Sequence, residues 1–373
     1  MKALFKATAV YIKKCDLMLL AIAVTASLMG LAAVYSATLS MGSDKYMIVQ
    51  AAAIALGCIG FFIITLFDLD RFGDLWIWAY LFNLVFLFSL RFLGTGGETT
   101  GNNSWIRFGP IGIQPAEIGK LIFIFTFARH IYVLRDRINR PSSVLQLIFH
   151  ALSTAGFVYI FSDDLGMCII YLMIFIIMFF ASGISMKWFL SLCAGGLASL
   201  VPLWMFVLKP YHKYRILVLF DPDINPDIAY HGIQSMIAVG GGKLFGYGYL
   251  QGPQTQYATL PEKHNDFIFS TICEEWGFIG GVAVILVLCL LVWRIYHDAF
   301  EAYDRFSYLV CIGIGGMFMS QILINIGMCL GIMPVIGITL PFFSYGGTSV
   351  VTCFGALGIV CGLKMRERPE RLR

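Results

Sequence analysis

Apolar residues in this 373-residue chain run in long blocks, and polar residues are confined to short stretches between them. A bilayer's hydrocarbon core is crossed by roughly 20 residues of helix, because each backbone N–H and C=O must be satisfied within the segment. About ten blocks reach that length, at about 16–37, 46–67, 75–92, 115–134, 144–161, 165–182, 188–208, 267–293, 307–330 and 347–363. The pattern predicts an all-α, polytopic membrane protein. Its shortest polar break is Ser162-Asp163-Asp164, between the fifth and sixth blocks.

The breaks differ in charge. Lys2, Lys6, Lys13, Lys14, Arg71, Arg135, Arg137, Arg140, Lys187, Arg294, Arg305 and the run Lys364, Arg366, Arg368, Arg371 and Arg373 fall on one side, while the other short breaks hold Lys45, Arg91 and Arg107. Short-loop Lys and Arg stay inside, which predicts cytoplasmic termini and an extracytoplasmic 209–266 loop. Val34-Tyr35-Ser36-Ala37 resembles a cleavage site, but the apolar run is longer than a signal core, so the first helix is expected to remain.

With 59% hydrophobic and 13% charged residues, the formal charge of +4 is accounted for by this topology. No soluble basic stripe points to nucleic acid. Of the ten cysteines, Cys58, Cys168, Cys193, Cys289, Cys311, Cys329, Cys353 and Cys361 sit in apolar segments, and there is no Cys-x-x-Cys. They read as small core residues, with no protein metal site expected.

With no repeat or linker, residues 1–373 read as a single membrane domain with three outer elaborations. These are Gly94 to Ile113, carrying Glu98, Trp105 and Arg107; the 209–266 loop, too long for a plain connection; and Gly331 to Gly347. All three fall on one side, so one site could draw on each.

Four constellations could carry chemistry. Glu117 and Lys120, just after Pro115, share a helix face at i,i+3, either as a structural ion pair or as the polar wall of a cavity. Asp164 begins the sixth block, as an N-cap or a group facing the same cavity. Glu262, Lys263, His264 and Asp266 crowd five positions, and Glu274-Glu275 follow two turns later; capping explains one of these more easily than all. Lys209, His212, Lys213 and Arg215 form either an interfacial belt or a diphosphate holder. Gly240-Gly241-Gly242, Gly246 and Gly248 lack the strand and lysine of a phosphate loop and read as flexible or closely packed backbone.

The chain closely resembles the SEDS family (shape, elongation, division and sporulation), and within it the RodA-like branch. The resemblance rests on Gln114-Pro115-Ala116-Glu117-Ile118-Gly119-Lys120, Tyr230 to Ser235, Leu260-Pro261-Glu262-Lys263-His264-Asn265-Asp266, Glu274-Glu275-Trp276-Gly277, and Asn325-Ile326-Gly327 through Pro341 to Gly347. Met333-Pro334-Val335-Ile336-Gly337 is similar to the elongation rather than the division form. Ser162-Asp163 replaces the usual Gln-Pro, Asn103-Ser104 stands where many relatives are basic, and Tyr247 lies in a Gly-x-Gly often written with lysine.

The resemblance implies a ten-helix peptidoglycan glycosyltransferase of the bacterial cytoplasmic membrane. It would polymerise lipid II, the undecaprenyl-diphosphate-linked disaccharide pentapeptide, on the outer face, beside a class B penicillin-binding protein. Asp266 falls on the family's essential aspartate, Glu117 and Lys120 on its acid–base pair, Asp164 on the aspartate of its turn, and Trp105 on its loop aromatic. Lys263, His264, Lys213 and Arg215 are the further candidate substrate contacts, and Mg2+ or Mn2+ held by the headgroup is an alternative source of positive charge. The partner's helix is expected beside the eighth and ninth spans, where Gly277, Gly280 and Gly281 permit close approach. Rival readings are a flippase of lipid-linked precursors, which predicts a midplane site, and a non-catalytic scaffold.

Overall fold

The computed structural model describes residues 15–67, 73–96, 102–109 and 111–365. Lys2, Lys6, Lys13, Lys14, Arg71, Glu98, Arg366, Arg368, Arg371 and Arg373 lie outside the described residues. Each predicted block falls on a helix. The first four are α1 (Leu17–Leu39), α2 (Lys45–Thr65), α3 (Trp76–Phe88) with its short continuation α4 (Leu90–Leu93), and α5 (Pro115–Leu134). Then come α6 (Pro141–Ser162), α7 (Leu165–Ala181) and α8 (Met186–Pro202), which runs into a π turn at Leu203–Val207. After the long loop follow α12 (Ile268–Phe300), α13 (Arg305–Cys329) and α14 (Gly347–Lys364).

Eight of these helical stretches are long and apolar enough to cross a membrane. The other two are α7, which is shorter, and α5, whose run carries Glu117, Lys120 and Arg129. Helix α13 is apolar all round and 83% buried across its most apolar window, which makes it the central post against α5, α7 and α12. Over the corresponding window of α8 nothing is buried. Its only covering would be lipid or another chain.

The long loop is more than a plain connection, and it carries α9 (Pro210–Leu217), α10 (Pro226–Gly241) and α11 (Pro253–Gln256). The glycines between them serve packing: a Cβ at Gly242 would overlap the backbone of Cys273, and one at Gly246 the backbone of Glu275. One element escaped the all-α reading. Strands β1 (Ile106–Phe108) and β2 (Ile111–Ile113) pair antiparallel, with Ile106 opposite Ile113, turning at Gly109. Three-residue strands are too short to show alternation in sequence.

The three elaborations meet at one end of the helices. Thr348 Oγ1 donates to Gly112 O (2.8 Å), Ser344 Oγ to Asn265 O (2.7 Å) and Tyr345 N to His264 O (2.8 Å). Buried Gln50 of α2 clamps the third stretch, donating to Ser344 O (3.1 Å) and accepting from Gly346 N (3.2 Å). A lone amide in an apolar block was the signal for it, since such a group is costly without a partner.

Candidate active site

Asp266 ends a tight turn. Glu262 adopts φ 46°, and its carbonyl accepts from Asn265 N (3.0 Å) and Phe267 N (3.3 Å) before α12 begins. The Glu262 carboxylate accepts from Asn265 Nδ2 at 2.7 Å. From the opposite side, the third elaboration presses on Asp266: a Cβ at Gly337, where φ is 75°, would lie 3.3 Å from Asp266 Oδ2. Glycine is needed there both for that backbone angle and for the close approach.

No hydrogen bond reaches the Asp266 carboxylate from any described residue, although the residue keeps only part of its surface open. Burial and then the Glu262 charge push its carboxyl up to about 7; Arg215 opposes and Asp164 adds to the rise. With its proton affinity raised and no hydrogen-bond partner, the carboxylate is poised to take up a proton.

Asp164 fulfils the N-cap reading. Its Oδ1 caps α7 by accepting from Met167 N (2.9 Å), and its Oδ2 accepts from Gln114 Nε2 (3.4 Å). Burial pushes it up to about 6, with Glu117 raising it further and the cap, Arg215 and Lys120 opposing. In the preceding turn, where Ser162-Asp163 replaces Gln-Pro, Asp163 takes the left-handed conformation and pairs with Lys209.

Glu117 and Lys120 do meet, at 3.1 Å, both buried. Yet neither Lys120 Nζ nor Glu117 Oε2 has an aligned hydrogen bond among the described residues. The ammonium therefore keeps protons to offer. Arg215 stacks on Tyr211 and lines a cavity of about 80 Å³ with Met236, Met328, Met333 and Val335. Lys213, on the same helix, is half-buried and does not line that cavity.

Other candidates are occupied by the fold. Lys263 is buried and donates to Ser40 Oγ (2.6 Å) and to Thr255 O, so it anchors the loop to the end of α1 instead of standing free for phosphate. His264 packs between the rings of Tyr46 and Tyr345. Trp105 bridges to Thr95 and lies over Gly112 within the hairpin region. Glu274 accepts from Gln254 N (2.6 Å), Thr255 N (2.9 Å) and Thr255 Oγ1 (2.6 Å), capping α11, and Glu275 accepts from Ser36 Oγ (2.5 Å) and Gln256 Nε2 (3.2 Å). Capping and anchoring thus absorb three groups around Asp266, more than the sequence suggested. The metal-like grouping His297, Asp298 and Glu301, with ligand atoms within 4.8 Å, lies at the other end of α12, where Lys364 already pairs with Asp298.

A family model described as cell cycle protein, spanning FtsW, RodA and SpoVE, matches residues 16–369. Peptidoglycan glycosyltransferase MrdB of Escherichia coli K12 is 32% identical, over 78% of this chain and 79% of that protein. Stage V sporulation protein E of Bacillus subtilis is also 32% identical, over 95% and 98%. A solved chain from work on structural coordination of polymerization and crosslinking by a peptidoglycan synthase complex superposes with TM-score 0.79 at 27% identity, covering 94% of this chain and 97% of that one. The protein therefore belongs to the SEDS family, the FtsW, RodA and SpoVE group of membrane-embedded cell cycle proteins whose curated members include peptidoglycan glycosyltransferases.

Proposed function

We propose that this chain is a peptidoglycan glycosyltransferase that polymerises lipid II on the outer face of the bacterial cytoplasmic membrane, with Asp266 as general base. The observation that carries this reading is the unpaired carboxylate, raised to about 7, where three outer stretches converge. The 4-hydroxyl of one glycan attacks C1 of another. As the C1–O bond to diphosphate breaks, the hydroxyl proton passes to Asp266 and the bond's electron pair leaves with the diphosphate. An α-linked donor gives a β-linked product in this single displacement. The leaving group is already activated, so no second carboxylate need protonate it.

Positive charge is required where the diphosphate departs. Arg215 is best placed, because its field reaches both Asp266 and Asp164. Lys120 and Lys213 are secondary candidates, and Mg2+ or Mn2+ carried by the headgroup would serve the same end. The flippase reading is disfavoured because these groups gather at one end of the helices and not at mid-depth. A scaffold has no use for an unpaired, raised carboxylate.

Met333 to Gly337, which is similar to the elongation form, supports an elongation role. A class B penicillin-binding protein is the proposed partner. The glycines expected to receive it are spent internally: a Cβ at Gly277 would meet Leu244 and Gly246, one at Gly280 would meet Trp276, and one at Gly281 would meet Cys273. Helix α13 offers only a narrow open stripe at Met319, Leu323, Ile326 and its C-cap Leu330. Exposed Phe278, Leu286, Leu290 and Trp293 of α12 are the better docking residues. Purified protein given labelled lipid II should make glycan strands, whereas Asp266→Ala should not. Equal polymer from both would refute the assignment.

A further inference from the structure

Asp266 is reached from beneath by two side chains of α13, Asn325 and, through a longer and weaker bond, Cys329. Asn325, fully buried on α13, donates to the Asp266 carbonyl at 2.8 Å and to the Ile338 carbonyl at 2.6 Å. Both partners are acceptors, so only the amide nitrogen can stand there; the contacts themselves fix the side chain's orientation. Its two protons join the turn that holds Asp266 to the strand of loop beside Gly337, whose backbone faces the Asp266 carboxylate. The other described side chain on the Asp266 main chain is the Cys329 thiol, a weaker donor to the same carbonyl at 3.6 Å. Below, Ser235 Oγ contacts Ser270 Oγ (2.6 Å) and donates to Cys329 O (3.0 Å), giving the clamp a rigid, satisfied floor.

We infer that Asn325 is a positioning residue for the polymerase reaction: its amide sets the depth of the Asp266 carboxylate and the width of the gap between it and the 331–347 stretch. The inference rests on the reading of Asp266 as the base. A carboxylate whose proton affinity is raised first by burial must be held in place to keep that burial, and an amide bonded to two separate loop carbonyls holds it without adding charge. Alternative explanations for a buried asparagine are weaker here. As a helix-interior residue it has poor propensity, and both its donors leave its own helix.

The charged groups around Asp266 are Glu262 in its own turn, Arg215 from α9 and Asp164 at the start of α7. None changes when Asn325 is replaced, so a shifted pH profile reports position. The test measures kcat, KM for labelled lipid II and the acid limb of the pH–rate profile for Asn325→Ala and Asn325→Ser, with Ser320→Ala as control. Ser320 is buried on the same helix and bonds only to its own Gly316 carbonyl. Expected for Asn325→Ala is a fall in kcat of at least about tenfold, KM within about twofold, and an acid limb moved to lower pH as the carboxylate loosens toward solvent. Asn325→Ser, which can restore one of the two hydrogen bonds, should fall between and keeps the test open if the alanine variant does not accumulate. Loss of activity only in proportion to lost folded protein, with the limb unmoved, would overturn the positioning role. A wild-type profile without an acid limb would instead remove the base assignment on which it rests.

Discussion

The two ends of α12 carry the same kinds of residue arranged to opposite purposes. At its far end, Asp16 accepts from Arg294 Nε (2.8 Å), Arg294 Nη2 (2.5 Å) and Lys364 Nζ (2.8 Å), while Lys364 also reaches Asp298 at 2.6 Å. Two buried carboxylates and two cations tie α1, α12 and α14 together. At the near end, Asp266 has no partner, and Lys120 and Glu117 touch without an aligned hydrogen bond. Burying charge costs several kcal/mol per ion unless it is compensated. The far end pairs each carboxylate with a cation and holds the bundle; the near end leaves the Asp266 carboxylate unpaired, which is useful only if a ligand completes it.

The sharpest way to break this contrast is to neutralise one carboxylate at each end. Asp266→Asn should lower polymerisation by about 10²- to 10⁴-fold with thermal stability in detergent nearly unchanged. Asp298→Asn should do the reverse, costing about 3 kcal/mol and sparing turnover per folded molecule. If Asp266→Asn keeps most of its activity, proton transfer to Asp266 is not part of the reaction.

Within the near end, Glu117→Gln or Lys120→Met should each destabilise by about 3 to 5 kcal/mol at most, by stranding the other charge. The double variant should cost less than the sum. Additive losses in a double-mutant cycle would mean that the pair contributes nothing as a pair.

Smaller effects test the electrostatics. Asp266 must be ionised to accept a proton, so activity should climb with pH through about 7. The negative charge of Glu262 raises that value; Glu262→Gln should therefore move the acid limb to lower pH, and Asp164→Asn should move it in the same direction by less. A shift to higher pH in either variant would show that these charges do not act on the group that titrates.

The smallest expected effect concerns the exposed surface. Single cysteines at Phe278 or Leu286 should cross-link to a co-expressed penicillin-binding protein's helix while turnover changes by less than about twofold, because lipid-facing side chains contribute little to packing. Equal cross-linking from α3 would show no preferred face.

The sequence by itself determined the helices. Apolar runs of bilayer length are a local property, and Pro115, Pro141, Pro210, Pro226 and Pro253 mark helix starts wherever they fall at a first turn. It also drew attention to Glu117, Lys120, Asp164 and Asp266, because charge beside an apolar run is rare and costly. Which of those charges are satisfied was decided only by the tertiary structure. Lys263 and Asp266 stand three positions apart in one polar string, yet Lys263 is tied to Ser40, 223 residues away, and Asp266 is left unpaired. Asn325 and Gln50 are amides in apolar blocks, and their partners are loop carbonyls far away in the chain. Helix formation is written in neighbours along the chain, whereas the pairing of buried polar groups depends on partners that only folding brings together.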